Sequence, residues 1–261
     1  MSVPAGSVGQ VSFEQPAAPE PAAPATVPPG HDDGPWHERL RAGFDLETTG
    51  RDPHTARIVT ASLVLVDPAG QPAASYEWLV DPGVPIPAEA AAVHGVTTEK
   101  AQAEGMPAPV AVAEIGETLR DMFTTGIPVI AFNAVYDFTV MDRELVRHGL
   151  TPLSPVPVVD PYVIDKQVDR FRKGKRTLTD VSAHYEVPLL DAHTSAADSL
   201  AAVGVADALA RRYPQVQVAL EQLHEEQIRW KAEQSASFQE YLRRKDPSAV
   251  VNGEWPVQRA L

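Results

Sequence analysis

The chain of 261 residues contains no cysteine. That excludes disulfides, zinc–thiolate sites and thiol nucleophiles. No run of apolar residues is long enough to cross a bilayer. The first ten residues lack both a basic start and an apolar stretch, so the sequence predicts no signal peptide and a cytoplasmic location. Positive charge is scarce: 22 Lys and Arg stand against 35 Asp and Glu, a net charge of −13. An acidic surface repels phosphates, which argues against a general nucleic-acid binder. Cations held by some of those carboxylates would reverse the local field. The few basic residues are also unevenly spread. Lys166, Arg170, Arg172, Lys173, Lys175 and Arg176 crowd into one short stretch, which reads either as a solvated face or as a phosphate-contacting patch.

What is present divides the chain in three. Residues 1–35 alternate prolines with alanines and offer few large apolar side chains, so they read as a disordered tail. Residues 36–213 carry the periodic patterns of one folded domain, and 214–261 read as a helical extension with a tail. Strands are expected at 41–46, 58–66, 73–80, 128–132 and 156–159. Helices are expected after Thr97, over 107–122 with Val110, Ala113, Ile115 and Leu119 at helical spacing, and over 135–148 with Phe138, Met141, Leu145 and Val146 inward. Further helices are expected near 161–168, 177–185 and 195–212. Strands first and then alternating helices imply an α/β fold, a mixed five-stranded sheet flanked by helices. Beyond Gln215 a long surface helix should end near Pro247, and Gly253-Glu254-Trp255-Pro256 reads as an exposed turn.

Three blocks carry chemistry. Asp45 and Glu47 lie two apart on an extended chain, which points both to one face at a strand end. Two adjacent carboxylates repel each other there unless cations neutralise them. Thr48-Thr49-Gly50 then turns the chain and can bring backbone close to a ligand. Asp137 follows Asn133 at the top of a helix, where an acid also serves simply to complement the helix dipole. His193 and Asp198 are five apart and would diverge by about 140° on one regular helix. They can share a site only if His193 lies on the loop entering the helix, and Thr194 and Ser195 are caps that would start it there.

Together and in this order, Asp-x-Glu-Thr-Thr-Gly, Asn-x-x-x-Asp and His-x4-Asp resemble the DEDDh exonucleases. That group includes the proofreading epsilon subunit of bacterial DNA polymerase III, ribonuclease T and oligoribonuclease. The resemblance covers about residues 38–212, and Arg57-Ile58-Val59, His94-Gly95-Val96-Thr97 and Asp160 add to it. It implies a ribonuclease H-like fold and a 3′–5′ exonuclease releasing nucleoside 5′-monophosphates from single-stranded DNA, with RNA as the alternative substrate. It implies two divalent metal ions, Mg²⁺ or Mn²⁺, which suit oxygen-only ligands. Asp45, Glu47 and Asp198 would hold one metal, Asp45 and Asp137 the second, and His193 would be the general base. Leu46, Thr48, Thr49, His94, Phe132 and Asn133 would contact or shape the site of the terminal nucleotide. A polymerase-associated proofreading subunit and a non-catalytic nucleic-acid-binding module are the alternative readings. A polymerase or a second copy of the chain is the expected protein partner, and no membrane is expected.

Overall fold

The computed structural model describes residues 34–189 and 194–259. His193 and nearly all of the expected N-terminal tail lie outside the described residues. A single 3-10 turn, Trp36–Glu38, leads into strand β1, Arg41–Thr48. Strands β2, Ile58–Val66, and β3, Pro72–Asp81, complete an antiparallel meander. Two short helices follow, α1, Ala88–His94, and α2, Thr98–Glu104. Thr97 caps α2, its hydroxyl accepting from the Lys100 N–H at 3.2 Å. Then come strand β4, Met106–Pro107, helix α3, Ala108–Thr124, strand β5, Val129–Ile130, and helix α4, Val135–Arg147. Strand β6, Val158–Val159, leads into helices α5, Pro161–Val168, α6, Leu178–His184, α7, Ser195–Arg212, and α8, Leu220–Arg243.

The sheet order is β4-β3-β2-β1-β5-β6, with β5 and β6 parallel to β1. The five strands expected from the sequence are there. A sixth, β4, adds to the sheet edge parallel to β3, and its two residues are too short to leave a periodic signature.

Helices cover both faces of the sheet. On one, Phe44, Leu46, Leu63 and Leu65 pack against Ile115 and Leu119 of α3 and Phe138, Met141 and Leu145 of α4. On the other, Val64, Ile130 and Val159 pack against Ala202, Val205 and Leu209 of α7, with Ile164 of α5 and Leu223 of α8. Two side chains expected on inward stripes point out instead: Val110 and Val146 are 48% and 53% exposed. Each sits one residue, about 100° of helix turn, away from a buried neighbour, Ala111 and Leu145 respectively.

The burial alternation along β1 fixes how α7 lies. Ala42, Phe44 and Leu46 face α3 and α4, so Gly43, Asp45 and Glu47 face α7. Gly43 lets the helix in: a Cβ there would lie 2.4 Å from the Ser199 carbonyl oxygen. Further along the same helix face, buried Asp207 accepts two N–H groups from buried Arg41. The close approach at Gly43 thus sets the first turn of α7 against the carboxyl end of β1.

The expected exposed turn at residues 253–256 is a correction. Trp255 is 5% exposed. Its indole N–H donates to Asp160 Oδ2 at 3.1 Å, and its ring lies against His224 of α8. Hydrophilic neighbours hide this from a pattern reading, because the contact spans 95 residues.

Candidate active site

Three carboxylates meet where α7 crosses the end of β1. Asp45, Glu47 and Asp198 each offer one oxygen, and these oxygens lie within 4.8 Å of one another. Period-two geometry puts the first two side by side. Asp198 joins them because Thr194 caps α7, accepting from Ala197 N–H at 3.4 Å, which leaves Asp198 in the first turn. Asp137 comes from the opposite side. It is buried in the first turn of α4, and its Oδ1 accepts the Leu46 N–H at 3.2 Å, between Asp45 and Glu47.

The electrostatics are strained. Burial, then repulsion from Asp137, Asp198 and Glu47, raises the Asp45 carboxyl well above the usual carboxylate range. Burial, then Asp198, pushes Glu47 up to about 7. Burial is also the main cause of the upward shift of Asp137, opposed by the N–H groups it accepts. Among the described residues, Asp45, Glu47 and Asp137 have no ion-pair partner. A converging set of oxygen donors without a compensating cation fits hard divalent ions.

A pH dependence follows. A carboxyl whose folded pKa is raised stabilises the fold at low pH and loses that contribution as pH rises through the folded value. The metal-free protein therefore gives up stability as pH rises from about 4 to about 7. Cations that bind the ionised form restore it. Thermal melts with EDTA or Mn²⁺ should show a Mn²⁺-induced rise in Tm that grows from pH 5 to pH 8. A rise independent of pH would contradict this electrostatic account.

The remaining candidates fall around the carboxylates in different ways. Thr48, Thr49 and His94 line a hollow of about 590 Å³ together with Glu47 and Val93. Thr48 is also fixed from behind: its hydroxyl pairs with the Tyr136 hydroxyl and donates to the Gly50 carbonyl at 2.9 Å. The Thr49 hydroxyl accepts the Arg57 N–H at 3.0 Å and closes the loop. His94 ends α1, and burial lowers its pKa, an effect opposed by hydrogen bonding to the Thr48 backbone. It also borders a second hollow of about 450 Å³ beside Thr60, Lys100 and Ser195. Leu46 is buried in the core, so its N–H and not its side chain faces the site.

Phe132 and Asn133 belong to the segment that starts α4. Asn133 has φ of 64°, a left-handed conformation uncommon outside glycine. Asp160 holds it there: Oδ1 accepts Asn133 N–H at 2.9 Å and Oδ2 accepts Ala134 N–H at 3.0 Å. The same carboxylate caps α5 through Tyr162 and Val163 and takes the Trp255 indole. Asp160 is thus a cradle for the loop carrying Asp137. Sequence reasoning missed Tyr136, although it lies inside the Asn133–Asp137 block. It also missed Gly43, whose placement mid-strand is itself a sign of close approach. Nothing in the local sequence pointed to Trp255.

Comparisons with known proteins agree with this architecture. A family model described as exonuclease, of the ribonuclease T type, matches residues 42–206. The chain is 30% identical over 176 residues to a DNA polymerase III subunit epsilon-like protein of Rhodobacter capsulatus, covering 66% of this chain and 23% of that one. It is 32% identical over 187 residues to the uncharacterized exonuclease CP81 of Escherichia phage 186, covering 67% of this chain and 91% of that one. Among solved structures, Escherichia coli exonuclease I in complex with a dA16 oligonucleotide superposes with a TM-score of 0.59 at 17% identity, over 69% of this chain and 42% of that one. Exonuclease I from Methylocaldum szegediense gives a TM-score of 0.56 at 19% identity, with the same coverage of 69% and 42%. At these identities the structural likeness is one of fold.

Proposed function

Since residues 42–206 match the family model, the chain belongs to the ribonuclease T-type exonuclease family, and from that premise we propose that it is a metal-dependent 3′–5′ exonuclease acting on single-stranded DNA. The observation that carries this reading is the cluster of Asp45, Glu47 and Asp198 oxygens within 4.8 Å. In this reading Asp45, Glu47 and Asp198 hold one divalent ion, and Asp45 and Asp137 hold a second. Such ions, when bound, supply charge neutralisation for the phosphodiester and its attacking and leaving oxygens.

The protein's own groups do the rest. His193, one residue before the Thr194 cap, takes a proton from the attacking water, as an imidazole near neutral pH can. The backbone of residues 46–49 and the hollow beside His94 seat the terminal nucleotide. Asp160 keeps the Asn133 loop, and with it Asp137, in place. The product is a nucleoside 5′-monophosphate. DNA is favoured over RNA as substrate because one relative is epsilon-like and structural neighbours were solved with DNA oligonucleotides.

The test is digestion of 3′- and 5′-labelled single-stranded DNA and RNA with Mg²⁺ or Mn²⁺, and with EDTA as control. Stepwise mononucleotides from the 3′ end, faster on DNA, are expected. Tight binding without turnover would make the protein a binding module, and internal cuts would exclude an exonuclease.

A further inference from the structure

The six clustered cations do two different jobs. Arg172 and Arg176 serve structure. Both pair with the buried Asp165 carboxylate, which also accepts the Tyr185 hydroxyl at 2.9 Å. Arg176 Nη2 donates to the Asp169 carbonyl at 2.6 Å, and Arg172 reaches the Lys175 carbonyl. These bonds pin the loop that follows α5. Arg170, Lys173 and Lys175 are left exposed, with no ion pair among the described residues. Between them Phe171 is 91% exposed. A phenylalanine held out in water on a pinned loop, flanked by three cations, suits a surface that receives a flat anionic partner.

A second pair of cations lies back along α5. Lys166 sits over the Tyr162 ring, its Nζ 4.9 Å from the centroid. Lys231 is brought beside it by α8. Gln227 and Gln234, on the same face of that helix, bond the backbone of Val158 and Val163. Both lysines are half-buried, and neither makes a hydrogen bond or ion pair among the described residues. Burial disfavours the charge of both, and Lys231 adds to the effect on Lys166. Asp160 is the carboxylate they feel, but it is occupied by five N–H donors. Two half-buried ammonium groups that lack a free carboxylate partner suit an incoming anion. The Tyr162 ring beneath Lys166 makes an edge contact with Phe132, immediately before Asn133. The cations therefore start at the loop that leads to Asp137 and continue along α5.

We propose that Lys231, Lys166, Arg170, Phe171, Lys173 and Lys175 form a track for the single-stranded nucleic-acid backbone upstream of the terminal nucleotide. The lysines and arginine neutralise phosphates and Phe171 stacks on an unpaired base. The choice of a single strand rests on Phe171, since a duplex hides its base faces. The proposal rests on the exonuclease reading for the position of the 3′ end. The eight residues of α5 span roughly 12 Å, so a dinucleotide at the carboxylates does not reach Phe171.

The test compares the full chain with Phe171→Ala and with the triple variant Arg170→Gln, Lys173→Gln, Lys175→Gln, all at exposed positions that the fold does not need. Anisotropy binding of a 15-nucleotide single strand in EDTA is read against salt. The triple variant should flatten the logarithmic salt slope by about 2, at roughly 0.7 per lost phosphate contact. Phe171→Ala should weaken binding about tenfold with little change in slope, in line with one lost stacking platform. With Mn²⁺, KM for the 15-mer should rise about tenfold at unchanged kcat, while dinucleotide hydrolysis reports on the carboxylate site alone. Unchanged affinity and slope in all variants would overturn the track, as would an equal loss on the dinucleotide. If the unmodified protein cleaves neither substrate, the exonuclease reading falls, and the EDTA binding data still decide on the track.

Discussion

Asp45→Asn is expected to remove metal-dependent hydrolysis, by 10³-fold or more, while raising the melting temperature of the metal-free protein. The two effects have one cause. Burial first, and then the neighbouring Asp137, Asp198 and Glu47, oppose the ionisation of Asp45. Asparagine keeps the shape and removes the charge, so the repulsion disappears along with the ligand. For a protein of this size, about 1 kcal/mol of relief corresponds to a Tm gain of roughly 2–4 °C. A 10³-fold loss of rate corresponds to about 4 kcal/mol of transition-state stabilisation. Calorimetry in EDTA and initial rates with Mn²⁺ measure the two quantities on one preparation. A variant that melts lower than the parent in EDTA, or that retains its rate, would show that Asp45 is an ordinary strand-end acid.

Gly43→Ala should damage both the fold and the carboxylate site with a single methyl. The added carbon would lie 2.4 Å from Ser199 O and 2.9 Å from Ser199 C. Both are backbone atoms of α7, which cannot swing aside as a side-chain tip can. The helix must retreat, and Asp198, one residue before Ser199, retreats with it. Overpacking of this kind costs about 1–3 kcal/mol. A displacement near 1 Å at the carboxylates should lower activity by about 10²-fold and weaken Mn²⁺ binding. Gly116→Ala is the control: there the added carbon would meet the tip of Leu145 at 3.0 Å, far from the carboxylates. If Gly43→Ala lost stability but kept Mn²⁺ affinity and rate, the link between helix seating and carboxylate geometry would be wrong.

The sequence made the α/β architecture legible because its signals are local. Asp160, Thr177 and Thr194 cap the helices expected after them, and strand periodicity located β1 to β3. It also put Asp45 and Glu47 on one face, since that follows from strand geometry alone. What stayed hidden depends on partners remote in the chain. The basic stretch looked uniform, yet Asp165 and Tyr185 decide that Arg172 and Arg176 turn inward. Trp255 looked exposed among polar residues, yet its burial is settled by Asp160 and His224. Spacing alone defines the stripes of α3 and α4, and Val110 and Val146 fall just outside the faces that the sheet covers.

The bond between Trp255 and Asp160 gives the molecule an internal optical gauge. The indole is shielded from water, lies beside an imidazole and touches the carboxylate on which Asn133 and Ala134 hang. Anything that loosens that loop, or peels away the segment after α8, admits solvent to the ring and moves its emission to the red. The far end of the described chain thereby reports, in fluorescence, on the integrity of the segment leading to Asp137, more than a hundred residues earlier.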